Sequence, residues 1–344
     1  MAGKSYSGEK MNTRMLITFQ IFFIFLTTNC TQEEKLGSSW HFDSKILRDR
    51  KTAKRKLLQE GFKEISFTST NNINIVGLFL ERKDAKCTVI FSHGFCPGGK
   101  EIFAPFVKLT PEYCNLLFLD LRSCGESEGP TLFSKVRHYG KTDYQDIVHA
   151  IKFVNEKTSS KPIIVFGWCS GAFNAATAII HLKEELEKLN VKGLMFDSGF
   201  GSIMEMSHVP FVDLDKKFVP GFILKLYGGD KKRAKQSYLC KFSTFCYKSF
   251  FYVVSLFLKP AIKKREPETN LYDKIQDIEI PMLVIHAQDD DYAPWQNVQK
   301  LVENISQKEL WLIENGRSSH ATNHLKLKEE YMGHMHEWLN SILS

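Results

Sequence analysis

Two glycines bracket one thiol in the stretch Pro162-Ile-Ile-Val-Phe-Gly-Trp-Cys-Ser-Gly171. A short apolar, β-branched run leads into it, and an Ala-rich segment with helical spacing, Ala172 to Leu182, follows. The pattern predicts a strand, a sharp turn and a helix, with Cys169 at the apex. A chain that folds back so tightly tolerates only small residues two before and two after the apex. Gly167 and Gly171 meet that requirement only with Cys169 at the apex. With Ser170 there, Trp168 and Ala172 would occupy the crowded positions.

The rest of the chain supplies the sheet that such a turn needs. An alternating pair, Glu64 to Thr68 and Ile73 to Leu80, predicts an antiparallel hairpin. Buried-type runs follow at Cys87–Phe91, Leu116–Leu119, Pro162–Phe166, Val191–Phe196, Met282–Ile285 and Leu310–Ile313. Helical patterns such as Tyr144 to Val154 separate most of them. Eight strands alternating with helices predict an α/β fold, its mostly parallel sheet covered on both faces. Residues 203–275 break the rhythm with apolar and basic runs, and a helical cap over the active site is expected there. The expected organisation is a leader over 1–30, a linker and exposed helix over 31–60, the main domain over 61–202 and 276–344, and the cap insertion.

Charge excludes little but directs attention. The net charge is +7 over 344 residues. Residues 210–266 carry 13 Lys/Arg against four Asp/Glu, so the excess is concentrated there. No nucleic-acid-binding pattern accompanies it, and no nucleic-acid partner is expected.

Met15 to Leu26 is apolar apart from Thr18 and Gln20, follows Lys10 and Arg14, and precedes Thr27-Thr-Asn-Cys30. That is the plan of a secretory signal. Leu26 to Cys30 also resembles a relaxed bacterial lipobox, with Leu one position too far from Cys30 and Asn before it. Lipoprotein, cleaved export and uncleaved anchor are the three expectations, and a cytoplasmic enzyme with a chance apolar start fits least. Of the eight cysteines, no spacing specifies a disulfide pairing.

Residues 87–340 resemble the α/β-hydrolase superfamily, with the motifs in its order. Gly167-Trp-Cys-Ser-Gly171 is similar to the family's nucleophile elbow, with a cysteine where most relatives carry serine, as in dienelactone-hydrolase-like and acyltransferase-like members. Ser92-His-Gly-Phe95 resembles the family's His-Gly loop. The resemblance implies an oxyanion hole from the backbone N–H groups of Phe95 and Ser170. Asp120-Leu-Arg-Ser-Cys-Gly-Glu-Ser127 is similar to a turn that is structural in the family. Aligning His286-Ala-Gln-Asp-Asp-Asp-Tyr-Ala-Pro294 with the family's His-Gly-x-x-Asp-x-x-Val-Pro makes Asp290 the triad acid, with Asp197 the alternative. The spacing to Tyr331 makes His320 the base rather than His324. His324 then reads as a polar loop or helix residue. The pair has a metal-like spacing, but no third ligand stands nearby in sequence and no metal is expected.

A Cys169–His320–Asp290 triad implies a thioester acyl-enzyme formed from a small acyl substrate, which the apolar insertion suggests is lipid-like. Hydrolysis of an ester or thioester is the first expectation, with no cofactor. Acyl transfer through the same thiol, or a non-catalytic ligand-binding relative, are the alternatives.

Overall fold

The computed structural model describes residues 50–94, 98–130, 140–208, 223, 226–265 and 270–344. The signal-like segment, Cys30 and Phe95 lie outside the described residues.

The chain divides into two units, residues 38–213 with 250–344, and residues 1–37 with 214–249. The larger unit holds an eight-stranded sheet: β1 (Lys63–Ser69), β2 (Ile73–Leu80), β3 (Cys87–Ser92), β4 (Cys114–Leu119), β5 (Ile163–Trp168), β6 (Val191–Asp197), β7 (Met282–Ala287) and β8 (Lys308–Ile313). The order is β1-β2-β4-β3-β5-β6-β7-β8. β1 and β2 pair antiparallel, β2 joins β4 antiparallel, and every later pairing is parallel. This is the mostly parallel sheet expected from the apolar runs, in the α/β-hydrolase form that the resemblance implies.

Side-chain alternation sends each central strand to two cores. Ile90, Val165 and Leu194 face one, together with α2 (Tyr144–Lys157), α3 (Ser170–His181) and α6 (Trp295–Glu303). Val89, Phe91 and Phe166 face the other, with α1 (Arg50–Gln59) and α7 (Lys328–Leu343). Phe91 centres that second core, with ring centroids 4.9–5.4 Å from those of Phe103, Phe106, Phe118 and Phe166. Among the described residues, ten of the chain's 27 phenylalanines are buried in these two cores. At the opposite end of the strands from the elbow, Cys87 and Cys114 are register partners with sulfurs 3.2 Å apart, both thiols free.

The run Lys51 to Lys56 forms most of α1, and its helix is not merely solvated. Ala53 and Leu57 are buried, and Lys54 pairs with Glu126 at 2.7 Å and with Glu64. Within the insertion, α4 (Lys231–Gln236) and α5 (Tyr238–Arg265) are helical, and Ser202 bridges Asn270 where the chain leaves and rejoins the sheet domain.

Candidate active site

Parallel strands deliver their C-terminal ends to one edge of the sheet, and the site residues sit there. β5 ends at Trp168, and Cys169 follows with φ 55° and ψ −120°, a conformation sparsely populated by non-glycine residues. Its N–H donates to the carbonyl of Asp197 at the end of β6 (2.9 Å), and Ala172 N–H returns to the Cys169 carbonyl (3.0 Å). The strained residue is therefore pinned from both sides. A Cβ at Gly167 would collide with Gly171 and Ala172, and one at Gly171 with the Ser92 carbonyl. Both glycines are required by close backbone approach, as the crowding rule predicts with Cys169 at the apex.

Ser170 opens α3, where the first backbone N–H groups have no partner within the helix. The His93-Gly94 turn lies against the elbow: a methyl at Gly94 would stand 3.2 Å from Cys169 Cβ. His93 fixes that turn, accepting from Leu121 N–H at Nε2 (3.1 Å) and donating from Nδ1 to the Gly94 carbonyl (2.7 Å). Arg50 Nη2 donates to the Gly98 carbonyl on the far side of residues 95–97 (2.8 Å). Lys100 is fully buried and pairs with Asp120 and Glu126 at 2.6 Å each. Burial opposes its charge, but the surrounding carboxylates outweigh that and raise its pKa.

The acid and the base come from the turns after β7 and β8. Asp290 is buried. Its Oδ1 accepts from the N–H groups of Tyr292 (2.9 Å) and Ala293 (2.8 Å). The buried His286 ring braces the same turn by donating to the Ala293 carbonyl (2.8 Å). His320 Nδ1 lies 2.8 Å from Asp290 Oδ2 and 3.0 Å from Oδ1. Cys169 is also close enough to act electrostatically on the His320 side chain, so the imidazole has both the carboxylate and the thiol as neighbours. Burial favours a neutral His320, but the Asp290 charge, Cys169 and the hydrogen bond to Asp290 outweigh it and raise its pKa well above 6.5. Burial likewise opposes the Asp290 charge, and the charge and hydrogen bond of His320 overcome it, holding the carboxyl below its usual range.

The two alternatives have other partners. Asp197 is buried and accepts from Ser198 Oγ, Asn323 Nδ2 and Tyr331 OH, each at 2.8 Å. Burial pushes its carboxyl up to about 6 despite those donors. Ser198 Oγ also accepts from Ala321 N–H at 3.0 Å, so the network grips the loop that carries His320. Of the loop or helix position expected for His324 the structure shows the helix, but the ring is buried among aromatic side chains rather than in a polar setting. His324 opens a short helical turn (Asn323–Lys326), stacks on Phe106 at 4.9 Å and meets Trp168 edge-on at 4.9 Å. Burial lowers its pKa to about 3, so the ring stays neutral. Of the acids beside Asp290, Asp289 is exposed and accepts from Gly316 N–H, and Asp291 is also exposed.

A profile of the Alpha/beta hydrolase family matches residues 89–325, a span from β3 to beyond the histidine turn. The chain belongs to this family. Among curated proteins, the hydrolase is 22% identical over 275 residues to the uncharacterized protein YqkD of Bacillus subtilis, across 80% of this chain and 78% of that one. Among solved structures, it is similar to the esterase Pf2001 of Pyrococcus furiosus, with a TM-score of 0.56 and 19% identity over 82% of this chain and 91% of that one. It is also similar to a putative lipase of Acinetobacter baumannii, with a TM-score of 0.54 and 14% identity over 90% of this chain and 99% of that one. At these identities the likeness establishes the fold.

The Asp197 network was missed by sequence reasoning. Its members are 126 and 134 positions apart in the Asn323 and Tyr331 contacts; Asp197 was singled out only as the alternative acid and Tyr331 only as a spacing marker. The Asp-Ser pair closing an apolar strand was the one local signal that could have found it.

Proposed function

We propose that this α/β-hydrolase cleaves a carboxylic ester or thioester through Cys169, with His320 as base and Asp290 as its orienting acid. The observation that carries the reading is the convergence on one imidazole: His320 is hydrogen-bonded at Nδ1 to the buried Asp290 carboxylate and has the elbow thiol as a neighbour. That the structurally similar proteins include an esterase and a putative lipase favours the same reaction class.

The steps balance without a cofactor. Cys169 Sγ attacks the carbonyl carbon while its proton passes to His320 Nε2. The new C–S bond leaves an oxyanion, which the Ser170 N–H at the start of α3 would stabilise with a second donor from the loop after Gly94. Collapse breaks the bond to the leaving group, which takes the proton from His320. Water, deprotonated by the same imidazole, then attacks the thioester and restores the thiol. Asp290 keeps the tautomer and stabilises the imidazolium formed twice per cycle. A lipid-like acyl substrate and a membrane-tethered, exported setting belong to the same reading. They rest on the apolar insertion and the signal-like start of the chain.

Incubation with a 4-nitrophenyl ester, followed by intact-mass and peptide mapping, tests the proposal. The expected result is an acyl adduct on Cys169, with turnover abolished in Cys169→Ala and largely kept in Ser170→Ala. Acylation of Ser170, or an active Cys169→Ala protein, would refute it.

A further inference from the structure

We infer that residues 226–249 form an interfacial face that docks on an anionic lipid surface. The only buried side-chain cluster of this region among the described residues is Ile223, Ala234 and Cys240, all small or medium in size. The large apolar side chains point the other way. Tyr238 is 83%, Phe242 53%, Phe245 65% and Leu226 69% exposed. Tyr238, Phe242 and Phe245 stand at i, i+4 and i+7 of α5, so they share one helical face. The Tyr238 and Phe242 rings stack at 6.4 Å. Exposed aromatics clustered in this way mark an interaction surface rather than ordinary surface composition.

Charge selects the occupant. Residues 226–249 carry Lys231, Lys232, Arg233, Lys235, Lys241 and Lys248 against a single acid, Asp230. Asp230 itself is engaged in capping α4 through Arg233 N–H at 3.0 Å. Aromatic rings within a segment of net positive charge suit the headgroup level of an anionic bilayer: rings enter the acyl boundary and ammonium groups meet phosphates. No helix among the described residues is long and apolar enough to cross a membrane. The segment therefore lies on the surface rather than through it. The inference is independent of the reading of Cys169, because its test needs no turnover.

The test is sedimentation of the full chain with phosphatidylcholine vesicles and with vesicles that also contain phosphatidylglycerol. Binding should favour the anionic vesicles and weaken with added salt. Phe242→Ser with Phe245→Ser, and separately Lys235→Glu with Lys241→Glu, should each lower the partition coefficient about tenfold or more. All four positions are exposed, and circular dichroism should show unchanged folding. Equal binding to both vesicle types, or variants that bind like the parent, would overturn the inference. So would a dimer in sedimentation velocity without lipid that the two Phe substitutions dissolve, since the face would then belong to a second copy.

Discussion

His320 and His324 are one helical turn apart in sequence, both buried, and opposite in character. His320 faces Asp290 and Cys169, and its pKa rises. His324 faces Phe106, Trp168 and Tyr331, and its pKa falls to about 3. The two buried carboxylates divide in the same way. Asp290 points at an imidazole and is held down, while Asp197 points at neutral donors and is pushed up to about 6. Residue type therefore assigns nothing at this edge of the sheet. The side chain opposite does.

The largest expected effect breaks the relay side of the comparison. His320→Ala and Asp290→Asn should each reduce turnover of a small acyl ester by roughly a thousandfold or more, because members of one relay act as a unit. Steady-state kinetics with both variants checks this. An active His320→Ala enzyme would transfer the base to another residue.

Asp197→Asn comes next. The amide would turn an acceptor of three hydrogen bonds into a partial donor facing Ser198, Asn323 and Tyr331. We expect a loss of about 2–3 kcal/mol in stability. Turnover should fall by about tenfold, since Ser198 and Asn323 hold the histidine turn. Urea titration and kcat measured on one preparation separate the two losses. If kcat is unchanged in a destabilised protein, Asp197 supports the fold alone.

Acid sensitivity sharpens the comparison through protons. The folded state keeps His324 neutral, whereas the unfolded chain protonates it below about 6.5. Between about 6.5 and 3 the unfolded state thus binds more protons, and stability falls as pH drops, by a few kcal/mol. Asp197 acts in the opposite sense. Its folded pKa is raised from 3.8 to about 6, so the folded state binds the extra proton in that window and gains as pH falls. The His324 shift is the larger and should dominate. His324→Phe removes it, and thermal midpoints measured across this range should fall less steeply than in the parent. An unchanged slope would show that the ring is not what acid attacks.

The smallest effect is that of His324→Phe on turnover near neutral pH, which should stay within about threefold of the parent, because an aromatic ring still packs on Phe106. His324→Ala is a different test. It leaves a cavity in the second core and should cost about 2–4 kcal/mol, so its activity at elevated temperature would report unfolding rather than chemistry.

What the sequence made legible follows from range. Each strand was readable because β-branched and aromatic runs carry their own signal, and the elbow because glycine crowding acts within five residues. Asp290 and His320 were reachable through the spacing of a family pattern. Lys100 and the Asp197 network were not. Their partners are brought by other strands, and nothing local distinguishes a lysine that will be buried against Asp120 from one in water. The burial of His324 was illegible for the same reason: its hydrophobic surroundings come from Phe106 and Trp168, far away in the chain.

The order of assembly has a consequence in time. The elbow thiol is synthesised about 150 residues before His320, which arrives with almost the last strand of the sheet. At about 5–20 residues per second that delay is roughly 8–30 s. Until then Cys169 lacks the His320 imidazole, and β6 and β7 must dock before the acid turn can form. On the proposed reading, a nascent chain is thus a bystander toward esters around it until the turn carrying His320 has been made and docked.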